Sequence, residues 1–259
     1  MKIFIKYDTG NDRACETRNN LIMLTEKRDI EVVSDISKAD IIFSIGGDGT
    51  FLKTASLTGK PIIGINTGTL GYLTEVHPDN LTKALSDILN GHYHIENRMM
   101  IEGEIRKPDG EIIKIPASLN EIAISKNMFG VVRFDAVIDE KFINSYTADG
   151  ILICTPTGTT AYNLSCGGPI ADPTSEILTL TPIAPHTVIN RSIILSKDTK
   201  IEIKITELRN NTTAYVLYDG KPLEVFSGDI VTINRSDKIT RIIKLEERSF
   251  IDTIREKIT

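Results

Sequence analysis

A buried strand that runs into a glycine-rich loop constrains this chain more than any other feature of its sequence. The segment reads Ile41-Ile42-Phe43-Ser44-Ile45 and then Gly46-Gly47-Asp48-Gly49. A short apolar run rich in β-branched residues is typical of a strand buried in a parallel sheet. The residues from Thr50 to Leu57 then predict the start of a helix. Because ligands bind at the carboxyl ends of strands in such sheets, this loop is a candidate binding site.

Asp48 is the one charged residue of this loop, and it has two interpretations. The glycines let the backbone approach a ligand, and their amides can point at phosphate oxygens. As a helix N-cap, Asp48 would contribute about 1 kcal/mol, but a cap does not need glycines on both sides of it. As a general base or metal-proximal carboxylate beside a phosphate loop, it explains those glycines, and we favour this interpretation. The loop has neither the lysine of a P-loop nor the spacing G-x-G-x-x-G.

Composition excludes several classes of protein. With 259 residues the chain allows one large domain or two of ordinary size. A net charge of −5 argues against a nucleic-acid partner bound through broad phosphate neutralisation. No apolar run approaches the about 20 residues that span a bilayer, and the first strand is too short and polar for a signal peptide. The 3 cysteines have no metal-ligand spacing, so we expect reduced thiols in a cytoplasmic protein with no metal cluster of its own.

The first 95 residues alternate between strand-like and helix-like segments. An amphipathic pattern predicts a helix from Asp12 to Arg28, followed by strands at residues 30–33 and 61–66. A further helix is predicted to begin near Pro78 and to end at Asn90-Gly91. This alternation is typical of a doubly wound α/β domain.

The pattern changes near residue 99 to short segments of alternating polarity. Such segments occur at residues 134–138 and 201–205, with turns predicted at 108–110, 210–211 and 219–220. They indicate a β-rich, sandwich-like domain. The final stretch predicts a strand and an amphipathic helix whose apolar residues are Phe250, Ile251, Ile254 and Ile258. We therefore expect an α/β domain at 1–97, a β-rich domain at 98–236 and a C-terminal segment at 237–259.

A second polar stretch runs from Thr147 to Pro169, after a predicted strand at residues 151–153. Its hydroxyls and backbone amides can bond sugar or phosphate, and Tyr162 offers a stacking face. The alternative is a loop whose Ser and Thr side chains satisfy their own backbone. A run this long with so few charges favours a binding site. Asn120-Glu121, at the start of another predicted strand, can clamp a diol or an adenine edge, although such a pair is more often an ordinary corner.

Together these stretches resemble the NAD kinase family. The resemblance rests on Gly46-Gly47-Asp48-Gly49, on Asn120-Glu121, on the run from Asp149 to Gly168, and on Pro185-His186-Thr187 and Asp219-Gly220-Lys221. The first motif alone is shared with diacylglycerol and sphingosine kinases, whereas the long central run is much more specific. The resemblance implies a phosphotransferase that moves the γ-phosphate of ATP to the 2′-hydroxyl of the adenosine ribose of NAD, giving NADP. It also implies Mg²⁺, a homodimer or homotetramer, and a C-terminal segment that returns to the first domain.

The resemblance also implies roles for individual residues. Asp48 would be the general base, and the phosphates of ATP would meet Gly46, Gly47, Gly49 and Lys221. Independently of the resemblance, Lys53 lies one helical turn past the loop and could reach phosphate, and its role as an ordinary surface lysine is equally open. NAD would be bound by Asp48 and Gly49 together with Asn120, Glu121, Asp149, Thr157, Thr160, Ala161, Tyr162, Ser165 and Ala184. One position departs from the family pattern, because Thr147 stands where many members have an arginine. Any charge contact from that position is therefore lost.

Two other functions remain open on sequence alone. A lipid or sphingoid kinase would share the glycine loop but would need a broad apolar entrance, whereas the stretch from Thr155 to Ser165 is polar and compact. A non-catalytic dinucleotide sensor would keep the pocket but would not need Asp48 in a glycine loop.

Overall fold

The computed structural model describes residues 1–69, 71–74, 76–127, 130–186, 190–209, 213–245 and 249–258. The strands are β1 (Lys2–Tyr7), β2 (Glu31–Val32), β3 (Ile41–Gly46), β4 (Ile62–Asn66), β5 (His94–Arg106), β6 (Ile112–Ser118), β7 (Glu121–Lys126), β8 (Val132–Ile138), β9 (Lys141–Ala148), β10 (Gly150–Cys154), β11 (Ile177–Ile183), β12 (Ile193–Ser196), β13 (Ile201–Leu208), β14 (Ala214–Tyr218), β15 (Lys221–Val225) and β16 (Ile230–Lys244). The α-helices are α1 (Asp12–Glu26), α2 (Asp48–Ala55), α3 (Leu81–Leu89), α4 (Tyr162–Ser165) and α5 (Phe250–Ile258). Short 3₁₀ turns occur at Ile36–Lys38, Pro78–Asn80 and Thr157–Thr160.

The chain divides into two compact units. The first comprises Met1–Arg98 and Ile239–Thr259, and the second comprises Met99–Lys238. The division falls within β5 and again within β16, so each of these long strands contributes residues to both units.

The first unit is an α/β domain built on parallel strands in the order β2-β1-β3-β4. β3 lies inside this sheet and all of its residues are buried, as expected for a strand covered on both faces. The end of β16 adds to the sheet beside β4, where Ile242 pairs in parallel with Ile62. Apolar residues of the strands, of α1 and of α3 form one core, which includes Phe43, Leu21 and Leu85.

The second unit is β-rich and consists of layered sheets. One sheet has 6 strands in the antiparallel order β12-β11-β10-β7-β14-β15. The other contains the antiparallel strands β8, β9 and β13 with the first part of β16. Side chains from both sheets share one core, in which Phe134 stacks on Tyr146 at 5.4 Å between ring centroids. The predicted fold class, α/β followed by β-rich, is therefore confirmed.

Several local predictions differ from the structure in their details. The first helix ends at Glu26 rather than Arg28, and the helix after the glycine loop begins at Asp48 rather than Thr50. α5 forms as expected, but its apolar face is different, since Ile251 is exposed and Thr253 is buried. The turn predicted at Asn210-Asn211 lies outside the described residues, as does Thr187.

Candidate active site

The glycine loop lies where β3 ends and α2 begins. Gly47 is the N-cap of α2 and Asp48 is its first residue. The cap interpretation of Asp48 is therefore wrong, because its side chain does not cap the helix. A hydrogen bond of 3.0 Å between the buried hydroxyls of Ser44 and Thr54 ties α2 to the strand before it. The loop is thus held between two fixed elements.

The carboxylate of Asp48 is bound by a turn that lies more than 20 residues further along the chain. Its Oδ2 accepts the N–H of Tyr72 at 2.8 Å, and its Oδ1 accepts the N–H of Leu73 and the hydroxyl of Thr74, both at 3.1 Å. A Cβ on Gly71 would lie 2.1 Å from Oδ1, so this turn can approach only because residue 71 is glycine. Gly71 and Thr74 position Asp48, and neither was predicted from the sequence as a site residue.

Asn66 holds this turn in place. β3 and β4 are parallel neighbours, so their carboxyl ends meet, and Gly46 pairs with Asn66. The side chain of Asn66 donates to the carbonyl oxygens of Thr69 and Thr74 at 2.8 and 3.3 Å, and it accepts the N–H of Gly68 at 2.8 Å. A single buried amide therefore fixes both arms of the turn that binds Asp48.

The three glycines of the loop have different surroundings. A Cβ on Gly46 would lie 2.5 Å from the hydroxyl oxygen of Thr50, so packing alone explains this glycine. At Gly47 and Gly49 a Cβ would meet nothing within 4 Å. These two glycines leave open space beside Asp48 that contacts within the chain do not account for. Lys53 is exposed on α2, one turn further on.

The second unit brings Asn120 and Glu121 against the polar run that follows β10. The N–H of Thr155 donates to the carbonyl of Asn120 at 2.9 Å, and the hydroxyl of Thr155 donates to the carbonyl of Leu119 at 2.6 Å. A Cβ on Gly158 would lie 2.1 Å from the carbonyl oxygen of Asn120. The predicted corner and the start of the predicted loop are therefore one packed structure.

Asp219 fixes this corner from a turn almost 100 residues away. Its carboxylate accepts the backbone N–H groups of Leu119, Asn120 and Glu121 at 2.8, 2.9 and 3.4 Å. Its own backbone is in the left-handed region, with φ of 44°. Lys221, two residues later, is exposed, and its Nζ lies 5.9 Å from the ring centroid of Tyr218. The sequence identified this turn but not the contact that it makes.

Glu121 is the most perturbed carboxyl group of the second unit. Burial, which has the larger effect, and the nearby Asp219 together raise its pKa from 4.5 to about 8. Its Oε2 is buried and has no hydrogen-bond partner among the described residues. A buried polar atom without a partner costs free energy, so Glu121 is poised to bind a polar group supplied from outside the chain.

The raised pKa of Glu121 predicts a pH dependence of stability. Between pH 4.5 and about 8 the folded chain keeps a proton that the unfolded chain has released. The free energy of unfolding should therefore fall as the pH rises through this window. Glu121→Gln should remove that part of the slope, as measured by urea unfolding at several pH values. Glu104→Gln is the matched control, because Lys114 lowers the pKa of Glu104 and keeps it ionised across the window. An unchanged slope in Glu121→Gln would contradict the assignment.

The rest of the predicted dinucleotide loop continues from this corner. Thr157 to Thr160 form a 3₁₀ turn, in which the Thr160 hydroxyl donates to the carbonyl of Thr157 at 3.2 Å. α4 then carries Tyr162 and Ser165, both exposed. The pKa of Tyr162 is raised by burial first and also by Cys166, Asp149 and Glu121, so its phenol lies near both carboxyl groups.

Asp149 and Ala184 lie at one end of the paired strands β10 and β11. The N–H of Asp149 donates to the carbonyl of Ile183 at 3.0 Å, and its carboxylate forms an ion pair with Lys126 at 2.6 Å. Ala184 comes directly after Ile183, the last residue of β11, and has a positive φ of 43°. Thr147, which departs from the family pattern, accepts a hydrogen bond of 3.3 Å from the guanidinium of Arg133.

Asn163 is a buried support of this loop that the sequence analysis did not single out. Its amide donates to the carbonyls of Thr159 and Pro169, and its Oδ1 accepts the hydroxyl of Thr181 at 2.7 Å. A Cβ on Gly168 would lie 2.1 Å from the same oxygen. Asn163 therefore anchors α4, whose residues Tyr162 and Ser165 are exposed, to the buried part of the unit.

All three cysteines are free, and burial raises the pKa of the Cys154 thiol. Among the described residues, His, Cys, Asp and Glu form no cluster of three able to hold a metal ion. Within the same ranges, every helix is too short or too polar to cross a membrane.

Two family models match the chain. The ATP-NAD kinase N-terminal domain matches residues 9–93, and the ATP-NAD kinase C-terminal domain matches residues 119–245. Among curated proteins, the NAD kinase of Caldanaerobacter subterraneus is 40% identical over 228 residues, covering 86% of this chain and 80% of the relative. An NAD kinase of a Thermoanaerobacter species is 42% identical with the same coverage.

Solved structures give the same result for the fold. An NAD kinase from Archaeoglobus fulgidus, in complex with ATP, is 27% identical with a TM-score of 0.81, covering 98% of this chain and 99% of that one. Yeast NADH kinase, complexed with NADH, has a TM-score of 0.88 at 24% identity, covering 100% of this chain and 87% of that one. Neither a lipid kinase nor a non-catalytic sensor is supported by these similarities. This chain belongs to the NAD kinase family, and it is an enzyme that phosphorylates NAD.

Proposed function

We propose that the enzyme transfers the γ-phosphate of ATP to the 2′-hydroxyl of the adenosine ribose of NAD, with Asp48 as general base. The observation that carries this proposal is the position of the Asp48 carboxylate and the hydrogen bonds that it accepts. Its carboxylate is fixed by three donors, at the carboxyl end of a buried parallel strand and beside open space. An ionised carboxylate accepts about four hydrogen bonds, so one acceptor position remains for the reacting hydroxyl. An alcohol is a poor nucleophile, and accepting its proton as the new bond forms lowers the barrier.

We assign the phosphates of ATP to the glycine loop. The space at Gly47 and Gly49 gives phosphate oxygens access to the backbone, and Gly46 lets the loop pack closely against Thr50. Backbone amides at the start of a helix favour anions. We propose Lys53 and Lys221, whose side chains are both exposed, as further phosphate contacts.

Gly49→Ala tests this assignment. Because a Cβ at residue 49 meets nothing within 4 Å, the fold should tolerate it, and stability should be unchanged or up to about 1 kcal/mol higher, since alanine favours helix. The KM for ATP should rise about tenfold or more, because the methyl group occupies space meant for phosphate. Gly59→Ala is the control, since its Cβ also meets nothing and lies outside the loop. Wild-type kinetics for ATP in a stable Gly49→Ala variant would contradict the assignment.

We assign NAD to the packed loop of the second unit. Asn120 and Glu121 would hold the adenosine half, with the unpartnered Oε2 of Glu121 aimed at a polar group of the ligand. Thr160, Ala161 and Tyr162 would line its base and ribose, and Asp149 and Ser165 would meet the nicotinamide side. Thr157 and Ala184 would complete the pocket, and Asp48 and Gly49 would meet the reacting ribose.

The glycine loop offers a divalent cation one side-chain ligand, the carboxylate of Asp48. Mg²⁺ prefers oxygen ligands and is commonly held by one or two carboxylates together with phosphates and water. Asp48 is the carboxylate of this loop, so the phosphates of ATP would supply most of the ligands. When bound, the cation neutralises charge on the transferring phosphate. Asp48 itself remains oriented by Tyr72, Leu73 and Thr74.

We further propose a cytoplasmic homodimer or homotetramer, without a nucleic-acid or membrane partner. The family supports the assembly, and the composition supports the location and the excluded partners. We also propose that residues 1–97, 98–236 and 237–259 form the functional divisions of the chain. The units at Met1–Arg98 with Ile239–Thr259, and at Met99–Lys238, support this division.

The proposed reaction is tested by comparing acceptors. With ATP and Mg²⁺ present, turnover should be measured with NAD, NADH and diacylglycerol in parallel. The proposal expects ATP-dependent phosphorylation of the dinucleotide and none of the lipid. Phosphorylation of diacylglycerol, or tight NAD binding without any ATP-dependent product, would overturn it.

A further inference from the structure

The last helix places a cation beside Asp48. The Nζ of Lys257, on α5, lies 3.9 Å from the ring centroid of Tyr72. The backbone N–H of the same Tyr72 donates to Asp48 Oδ2 at 2.8 Å. One residue thus contacts both the ammonium of Lys257 and the carboxylate of Asp48. All three residues belong to the first unit.

The ammonium of Lys257 has few partners of its own. Within the described ranges it makes no hydrogen bond and no ion pair within 4.0 Å, and its contact is the face of the Tyr72 ring. A ring face attracts a cation and can take up one of its three N–H donors, which leaves the others for a ligand. Burial lowers the pKa of Lys257, and the attraction of Asp48 opposes this effect. The side chain is half-buried, and the ring of Tyr72 keeps its ammonium near Asp48. N–H donors of this ammonium are therefore available to a ligand.

We propose that Lys257 binds the transferring phosphate of ATP. A lysine is a compact point charge with three donors, which suits a phosphate oxygen whose position shifts during transfer. Phosphoryl transfer depends mainly on positioning and on neutralising charge around the moving group. The matched family models end at residue 245, so α5 and Lys257 lie beyond both of them. This inference rests on the proposed function, because it assigns Lys257 to the same reaction.

The test compares three variants of the full-length enzyme. Lys257→Met keeps a long unbranched side chain and removes the charge, whereas Lys257→Arg keeps the charge. Arg255→Gln is the matched control on the same helix, where Arg255 is exposed and pairs with Asp252. Initial rates should be measured against ATP at saturating NAD, and against NAD at saturating ATP. Calorimetry should measure the binding of inorganic tripolyphosphate with Mg²⁺, a readout that does not require turnover.

Lys257→Met should lower kcat/KM for ATP about tenfold to a hundredfold and weaken tripolyphosphate binding by a similar factor, with the KM for NAD unchanged. Lys257→Arg should retain most of both, and Arg255→Gln should match the wild type. Wild-type kcat/KM for ATP in Lys257→Met would overturn the proposal. An equal loss for ATP and NAD together with a lower melting temperature would also overturn it, since that pattern reports a structural role. If the wild type forms no NADP from ATP, the proposed function fails instead. The calorimetry then still tests Lys257, because weaker tripolyphosphate binding in Lys257→Met supports the phosphate contact and unchanged binding overturns it.

Discussion

Replacing Asp48 by Asn is expected to abolish measurable NADP formation while leaving NAD binding largely intact. An amide cannot accept the proton of the ribose hydroxyl, and removing a general base typically costs a factor of about 10² to 10⁴ in kcat. The substitution also replaces one of the two oxygens that accept from Tyr72, Leu73 and Thr74 by an NH₂ group, which cannot accept a hydrogen bond. A modest loss of stability should therefore accompany the loss of turnover. Steady-state kinetics and NAD titration by calorimetry measure the two effects separately.

Thr74→Val is the control for the loss of stability. It removes the hydroxyl that donates to Asp48 Oδ1 at 3.1 Å but leaves the carboxylate in place. Losing one hydrogen bond costs about 1 kcal/mol, so kcat should fall by no more than about tenfold. Unchanged turnover in Asp48→Asn, or an equal loss in both variants, would exclude Asp48 as the base.

Gly158→Ala is expected to damage the dinucleotide site by displacing the Asn120-Glu121 corner. The new Cβ would lie 2.1 Å from the carbonyl oxygen of Asn120 and 2.5 Å from its carbonyl carbon. Backbone atoms cannot move aside as a flexible side chain can, so the Asn120-Glu121 corner must shift. Overpacking of this kind costs about 1–3 kcal/mol or more. The melting temperature should fall, and the KM for NAD should rise more than the KM for ATP.

Gly10→Ala provides the comparison for this prediction. Its Cβ would meet only Asp8 Oδ1, at an ordinary contact distance of 3.5 Å. Both the melting temperature and the kinetics of this control should match the wild type. A Gly158→Ala variant with wild-type stability and wild-type KM for NAD would show that the loop is not packed against Asn120 as described.

The elements that local patterns specify could be predicted from the sequence. The apolar run of β3, the glycines after it and the alternating segments of the second unit all depend on residues close together in the chain. The order α/β then β-rich follows from these patterns, and the two dense polar stretches indicate where ligands bind. The family resemblance then assigned each position a role.

The contacts that position the site could not be predicted in this way, because they join distant parts of the chain. The turn that binds Asp48 lies 24 to 26 residues beyond it, and Asp219 binds Leu119, Asn120 and Glu121 across 98 to 100 residues. No local pattern encodes such pairs. The apolar face of α5 differs from the prediction for a related reason, since the ammonium of Lys257 lies over the ring of Tyr72 while Ile251 is exposed.

Asp48 is the proposed general base for phosphate transfer to the 2′-hydroxyl of NAD. The most direct measurement identifies the product formed from NAD and ATP by wild-type enzyme and by Asp48→Asn, using a dehydrogenase specific for NADP. We expect the wild type to give NADP carrying a 2′-phosphate, and the variant to give none above background. A product phosphorylated elsewhere, or equal amounts of NADP from both proteins, would contradict the claim.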